Sequence, residues 1–235
     1  MIGLEVFRNF YQVDSILTIF DVGAHHGNSV NEFMSLYPKA RIFAFEADRV
    51  NYGRLCRRYL SEPRIHMFNA AVGQEDGHAQ LHRNNYDATH SLLPFNASEI
   101  NRWADAGDFR REGVETVDAM ALDTFCRERS VEQVDILKLD IQGSELMALK
   151  GAAGLLNKHR IRSIFCEVEF RQLYEGQPLF WGISAYLMSF GYHFFNIVSP
   201  KVSEMGVLCW ADAIFVNGDT WNHIAAQHSA ARISK

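Results

Sequence analysis

This chain is most easily approached through what it does not contain. Its four cysteines, Cys56, Cys126, Cys166 and Cys209, lie far apart and form no C-x-x-C pair, which removes the usual zinc and dithiol-redox patterns. Cys56 falls in a helical pattern and Cys166 in an apolar strand, so buried reduced thiols are expected, as in a cytoplasmic protein. No apolar run approaches the roughly 18 residues of a membrane span. No basic N-terminal stretch leads into a short apolar segment, so no secretory leader is expected and the localisation reads as cytoplasmic. Positive charge is also in short supply. With a net charge of −5 and a pI near 6.0, and no long basic patch, nucleic acid is excluded as a generic partner. No repeat or low-complexity tract is present. What remains is 235 residues with 48% hydrophobic content, enough to bury a sizeable core as one domain, residues 1–235.

One further absence carries chemistry. Ile19 to Gly27 reads I-F-D-V-G-A-H-H-G: an apolar strand, a tight turn, then a helical pattern in Val30, Phe33, Met34 and Tyr37. Such a turn brings backbone N–H groups and a helix N-terminus to the open end of a strand. A dinucleotide fingerprint would need G-x-G-x-x-G, with its middle glycine making room for pyrophosphate. His25 stands in that place. Written D-x-G-x-H-x-G, the stretch instead resembles the D/E-x-G-x-G-x-G turn of S-adenosylmethionine (SAM) methyltransferases. A second apolar strand, Ile42 to Phe45, ends in Glu46 about twenty residues on, where an acid grips ribose hydroxyls. Asp21 and Glu46 favour a cationic sulfonium over a polyphosphate.

The remaining pattern is alternating strand and helix. Residues 1–15 suggest an N-terminal helix, and the β-α-β-α-β order through Ile65–Asn69 is half of a doubly wound sheet. Ala70 to Gly73 and His78 to His82 predict a hairpin added to the central sheet. Residues 82–113 are polar and weakly periodic apart from a helical patch at Ser98 to Trp103. Tyr86, Phe95, Trp103 and Phe109 give this segment an aromatic surface, so it reads as a lid over the acceptor pocket. Strands follow at Val114–Met120, Asp135–Asp140 and Ile161–Glu169. Tyr192–Val198 and Ala213–Val216, with no helix between them, predict an antiparallel closing pair. Residues 218–235 read as a peripheral tail. The fold class is therefore α/β and Rossmann-like: a mostly parallel seven-stranded sheet, an antiparallel C-terminal pair, and an inserted hairpin and lid.

Several blocks taken in order resemble one family. Phe20-Asp21-Val22-Gly23-Ala24, Phe45-Glu46, Asn69 to Gly73, Ser91-Leu92, Ala121-Leu122-Asp123, Leu137 to Leu146 and Lys150-Gly151-Ala152 are similar to the FkbM family of SAM-dependent methyltransferases, over roughly Ile16 to Glu169. The resemblance implies a class I methyltransferase fold, SAM as methyl donor, and O-methylation of a small-molecule or glycan acceptor. It puts the methionine end of SAM on Asp21, Gly23, Ala24 and Gly27, the ribose on Glu46, the adenine near Asn69 and Ala70, and Asp140 beside the methyl group. His25, where the family usually has Asn, and Ala47, where it often has Pro, complete the cofactor-binding set. Gln142 replaces the usual Glu of D-V-E-G.

An alcohol becomes a competent nucleophile only as its proton leaves. Asp140, at the end of a strand by the topological switch point, is the leading base. Lys138, two residues earlier, shares its face. Capping the next helix or holding the cofactor explains Asp140 equally well. His90 is the alternative base, since imidazole suits proton removal near pH 7. Glu167 ends the next strand and approaches Asp140; together they suggest Mg²⁺, which Gln142 and the lack of an adjacent Asp-Asn pair disfavour, so no metal ligand is assigned. Glu145 suits a helix first turn with no catalytic role. His25 and His26, as neighbours in a turn, are not expected to chelate one metal. An NAD-dependent oxidoreductase and a non-catalytic cofactor-binding module stand as the alternatives. No oligomeric state follows from the sequence.

Overall fold

The structure is a computed structural model that describes residues 3–100 and 109–233. Its centre is β1 (Thr18–Val22), apolar at Ile19, Phe20 and Val22 and enclosed from Ile19 onward, Asp21 included. A strand covered on both faces needs apolar side chains at every position, which is how a parallel interior strand reads. β1 pairs in parallel with β2 (Arg41–Phe45) on one side and with β7 (Val134–Leu139) on the other. β3 (Ile65–Phe68) extends the sheet beyond β2, and β8 (Ile161–Glu169) beyond β7. β10 (Leu208–Val216) then runs antiparallel to β8 and carries β9 (His193–Val202) antiparallel at the edge. The seven-stranded order is β3-β2-β1-β7-β8-β10-β9, so the closing pair is present as the missing helix between its strands predicted.

Alternation along the strands sends neighbouring residues to opposite faces. Ile19, Ile42, Ile136 and Phe165 go to one core with Phe7, Val30, Phe33 and Leu55. There the sheet is covered by a 3₁₀ helix (Leu4–Asn9), α1 (Asn28–Leu36) and α2 (Arg49–Arg58). Phe20, Phe43, Leu137 and Ile164 go to the other, against α4 (Leu122–Glu128), α5 (Glu145–Lys150), α6 (Ala153–Asn157) and α7 (Phe180–Ser189). The N-terminal helix is 3₁₀ rather than α. Leu4, Phe7 and Phe10 recur every third residue, which stacks them along one edge of a helix with three residues per turn. The C-terminal stretch forms α8 (Gly218–Ile233), seated on the first core through Ile224. No helix among the described residues is long and apolar enough to cross a membrane.

One expectation fails. β4 (Ala71–Val72) and β5 (Gly77–Asn84) do not form a hairpin on the main sheet; both pair with β6 (Arg111–Met120), β4 in parallel and β5 antiparallel, as a separate three-stranded sheet. The turn at Gln74 to Gly77 is real, but Ala71, Leu81 and Val117 make a small apolar cluster of their own, and β6 sits between the other two strands. Between β5 and β6 lie a 3₁₀ turn (Asp87–Thr89) and α3 (Ala97–Ile100). Trp103 and the rest of the predicted 98–103 helix lie outside the described residues.

The tightest packing on the second face surrounds Phe125, whose ring meets Phe20, Phe43, Phe45 and Phe68 edge-on at centroid distances of 4.9–5.8 Å. Phe125→Ala is expected to cost about 3–5 kcal/mol in urea denaturation. Leu60→Ala, at an 85% exposed position, should stay within about 0.5 kcal/mol.

Candidate functional site

The site is built where β1, β2 and β7 end side by side. β1 exits into Gly23, whose φ of +79° suits glycine. A Cβ there would sit 1.8 Å from the Asp140 carbonyl oxygen, so the missing side chain is what lets the β1 and β7 exits touch. Gly23 and Ala24 donate their N–H groups to the Phe45 carbonyl, both at 3.0 Å. His25 follows at φ +49°, and Gly27, at φ +83°, precedes α1. A Cβ on Gly27 would be 2.6 Å from the Tyr59 hydroxyl, which itself reaches the Gly27 carbonyl at 2.7 Å.

Beneath this turn lies a buried ion pair. Asp21 is fully enclosed; Ser29 Oγ donates to its Oδ2 at 2.5 Å and Lys138 Nζ stands 3.1 Å from its Oδ1. The same ammonium is 3.5 Å from Asp140 Oδ2 and donates to the Gly23 carbonyl at 3.4 Å. Burial works against the lysine's charge, but the Asp21 and Asp140 carboxylates outweigh it and hold the pKa above the ordinary range.

Above the turn a cavity of about 200 Å³ opens, lined by Gly23, His25, Phe45, Glu46, Ala47, Ala70 to Val72, Leu81, Asp87, Ala88, His90 to Leu92, and Asp140 to Gln142 with Glu167. Glu46 is clamped by two backbone donors, His25 N–H to Oε2 at 2.7 Å and Asp48 N–H to Oε1 at 2.9 Å. Its pKa is nonetheless pushed up to about 7, because burial outweighs those two hydrogen bonds. At the far side, Gln142 Nε2 donates to Asp140 Oδ1 at 3.2 Å and to Glu167 Oε2 at 2.8 Å, while Tyr174 donates to Gln142 Oε1 at 3.0 Å. A neutral amide thus takes the place between two carboxylates. Burial, then the nearby Asp140, pushes Glu167 well above the usual carboxylate range. Glu145, also buried, accepts from the N–H groups of Ile141 (2.9 Å) and Gly143 (3.2 Å) and so shapes the loop that carries Asp140.

Of the residues expected to touch the cofactor, Gly23, His25, Glu46, Ala47, Ala70 and Asp140 line the cavity, and Asp21, Ala24, Gly27 and Asn69 do not. Asp21 is a correction of kind: its oxygens are spent on Ser29 and Lys138, so it holds up the turn from below. Asn69 Nδ2 likewise donates to the carbonyls of Glu46 (2.9 Å) and Ala47 (3.1 Å) and fixes the end of β2. Asp140, Glu167 and His90 all line the cavity. His90 is poorly suited to be a base, however: its Nδ1 accepts the Asn84 N–H at 3.2 Å, and its Nε2 faces Asp48 Oδ2 at 3.7 Å. In the neutral ring no lone pair is left over.

Within the segment expected to form a lid, Asp87, Ala88 and His90 to Leu92 line the cavity, and Ser91 Oγ donates to the Gln142 carbonyl at 2.6 Å. Asp87 escaped the sequence reading because its partners are distant in the chain. Its carboxylate lies 3.1 Å from His25 Nε2 and 3.0 Å from His26 Nε2, and accepts from Arg54 Nη1 at 3.0 Å. The two histidines, not expected to chelate one metal, stack with centroids 3.7 Å apart. The left-handed backbone at His25 turns both rings to one side.

A parallel sheet in the order 3-2-1 and onward, closed by an antiparallel pair, with an acid-lined cavity at its switch point, is the class I SAM-dependent methyltransferase architecture. The chain belongs to the FkbM methyltransferase family: the methyltransferase FkbM domain matches residues 21–194. It is 30% identical over 163 residues to the 2-O-methyltransferase NoeI of Sinorhizobium fredii (strain NBRC 101917 / NGR234), across 68% of this chain and 66% of that protein's length. In fold it is similar to magnesium protoporphyrin IX methyltransferase (ChlM) from Synechocystis PCC 6803, solved with bound SAM, at a TM-score of 0.50 and 9% identity over 92% of this chain and 76% of that one.

The enclosed ion pair generates a stability prediction. Lys138→Met leaves Asp21 buried without its counter-charge and is expected to cost about 3–5 kcal/mol in urea denaturation. Adding Asp21→Asn to the same chain should return part of that loss.

Proposed function

We propose that this protein transfers the methyl group of SAM to a hydroxyl oxygen of a small-molecule or glycan acceptor. The observation that carries the reading is the charge of the cavity wall: four carboxylates, Glu46, Asp87, Asp140 and Glu167, and no lysine or arginine among the described lining residues. Such a wall suits a cationic cofactor and opposes a pyrophosphate, which favours SAM over NAD. SAM, when bound, supplies an electrophilic methyl group on a sulfonium. Glu46 would accept from the ribose hydroxyls, Phe45, Ala71, Val72 and Leu81 would flank the adenine, and Gly23 and His25 would pass their backbone beneath the methionine end.

Asp140 is the residue we assign as base. It is 39% exposed at its side chain, unlike its neighbour Glu167, and it faces the cavity with one oxygen steadied by Gln142. Asp140 would take the acceptor's hydroxyl proton, with Lys138 behind it balancing the charge; SAM would supply the methyl group, its sulfur keeping the bonding pair as S-adenosylhomocysteine leaves. Oxygen as the acceptor atom is supported by the relative that is a 2-O-methyltransferase. A sugar is supported by the lid, where Tyr86, 53% exposed, meets Phe109 edge-on at 5.7 Å and offers an apolar edge beside polar neighbours.

Two measurements test this. S-adenosylhomocysteine should bind in calorimetry. A carboxylate that must be ionised to accept from the ribose, with a pKa near 7 in the free protein, makes that affinity rise with pH, by about tenfold between pH 6 and pH 8. Glu46→Gln should bind more weakly and flatten the profile. No binding by the wild type overturns the SAM assignment. In turnover of labelled SAM with extracted acceptors, Asp140→Asn should keep the cofactor affinity and lose about 10²–10⁴-fold in rate; an undiminished rate removes Asp140 as the base.

A further inference from the structure

At the rim of the same cavity, one side-chain cluster is arranged like a cation receptor. His25 Nε2, His26 Nε2 and the two oxygens of Asp87 converge at the cavity rim, with His–Asp separations of 3.1 and 3.0 Å. A tetrahedral ion bonded at 2.0–2.2 Å to nitrogen and oxygen sets its ligand atoms about 3.4 Å apart; the three ligand atoms already lie within 4.8 Å of one another, and closing around an ion requires the two stacked rings to tilt apart so that both nitrogens aim at it. What holds the cluster together now is Arg54. Its Nη1 lies 2.8 Å from His26 Nε2 and 3.0 Å from Asp87 Oδ2. A guanidinium only donates, so His26 Nε2 meets it with a lone pair. That lone pair and the Asp87 oxygen are two acceptors 3.0 Å apart, which repel unless a positive charge sits between them. Arg54 supplies that charge from a half-exposed position, and the same Nη1 has Asn51 Oδ1 at 2.8 Å as a place to stay when displaced.

We propose that His25, His26 and Asp87 form a binding site for a first-row divalent transition metal of the zinc type, for which Arg54 is the stand-in. Imidazole nitrogen with one carboxylate suits such ions better than Mg²⁺ or Ca²⁺, which take oxygen. Three protein ligands leave a fourth position for water, on the cavity side where His25 and Asp87 are lining residues. Asp87 belongs to the segment between β5 and β6, and the histidines to the turn after β1, so the ion straps the lid to the turn. The His25 backbone N–H is held by Glu46, so the imidazole and not the backbone is what the ion would take, beside the cavity that the proposed function assigns to SAM.

The test is zinc titration of the full chain, stripped with a chelator, by calorimetry, together with Co²⁺ absorption. One Zn²⁺ per chain is expected, with affinity reduced at least tenfold in His26→Ala and in Asp87→Asn, and a Co²⁺ spectrum free of thiolate charge transfer. Arg54→Met, which removes the competing charge at an exposed position, should bind Zn²⁺ more tightly than wild type by about tenfold. A simple salt-bridge clasp predicts the reverse, since losing Arg54 would only loosen it. No zinc binding by wild type, unchanged affinity in both ligand variants, a thiolate band, or weaker binding in Arg54→Met each overturns the proposal. Circular dichroism identical to wild type qualifies each variant as folded.

Discussion

The arrangement of this molecule depends on one enclosed positive charge. Lys138 on β7 sits between Asp21 on β1 and Asp140 at the β7 exit, in a region that also holds Glu145, Glu167, Glu169 and Asp212. Burial first, and the neighbouring carboxylates after it, push these acids upward, Asp212 to about 7. Without the ammonium, that density of carboxylates at the end of a parallel sheet would not be sustained. With it, β1 and β7 are tied across their exits by charge as well as by the backbone ladder, and the turn above them is held from below.

The second constraint is steric. The carbonyl of Asp140 passes so close to Gly23 that no side chain fits there. A similar approach recurs behind the site, where a Cβ on Gly151 would stand 2.1 Å from the Gly73 carbonyl. These two contacts bring the cofactor turn, the Asp140 loop and the small second sheet within reach of one cavity. The chemistry at that cavity is then set by acceptors: carboxylates dominate its wall, Lys138 stays beneath the floor, and Arg54 stands at the rim on Asp87.

Much of this was legible in the chain before any coordinates. Ile19 to Gly27, the acid at Glu46 and the strand ending in Asp140 announce a strand-turn-helix nucleoside site because their period and spacing are local properties. The closing pair was readable from the lack of a helical pattern between two apolar runs. The partner of β5 was not readable. Alternation in His78 to His82 declares a strand but not its neighbour, and β6, the neighbour chosen, comes after the whole lid segment. The same limit hid the role of Asp21, whose sequence context is that of a cofactor ligand and whose actual partners are Ser29 and Lys138.

By itself, then, the sequence determined the order of elements, the two faces of the sheet and the family, since these rest on hydrophobic period and on motifs a few residues long. Only the tertiary structure decided which acids face the cavity, that Gln142 bridges Asp140 and Glu167, that the His90 lone pair is consumed, and that His25, His26, Arg54 and Asp87 meet. Each of those outcomes is a distance between side chains far apart in the chain. Such distances are set by how strands register and loops fold over them, and no local pattern of residues encodes them.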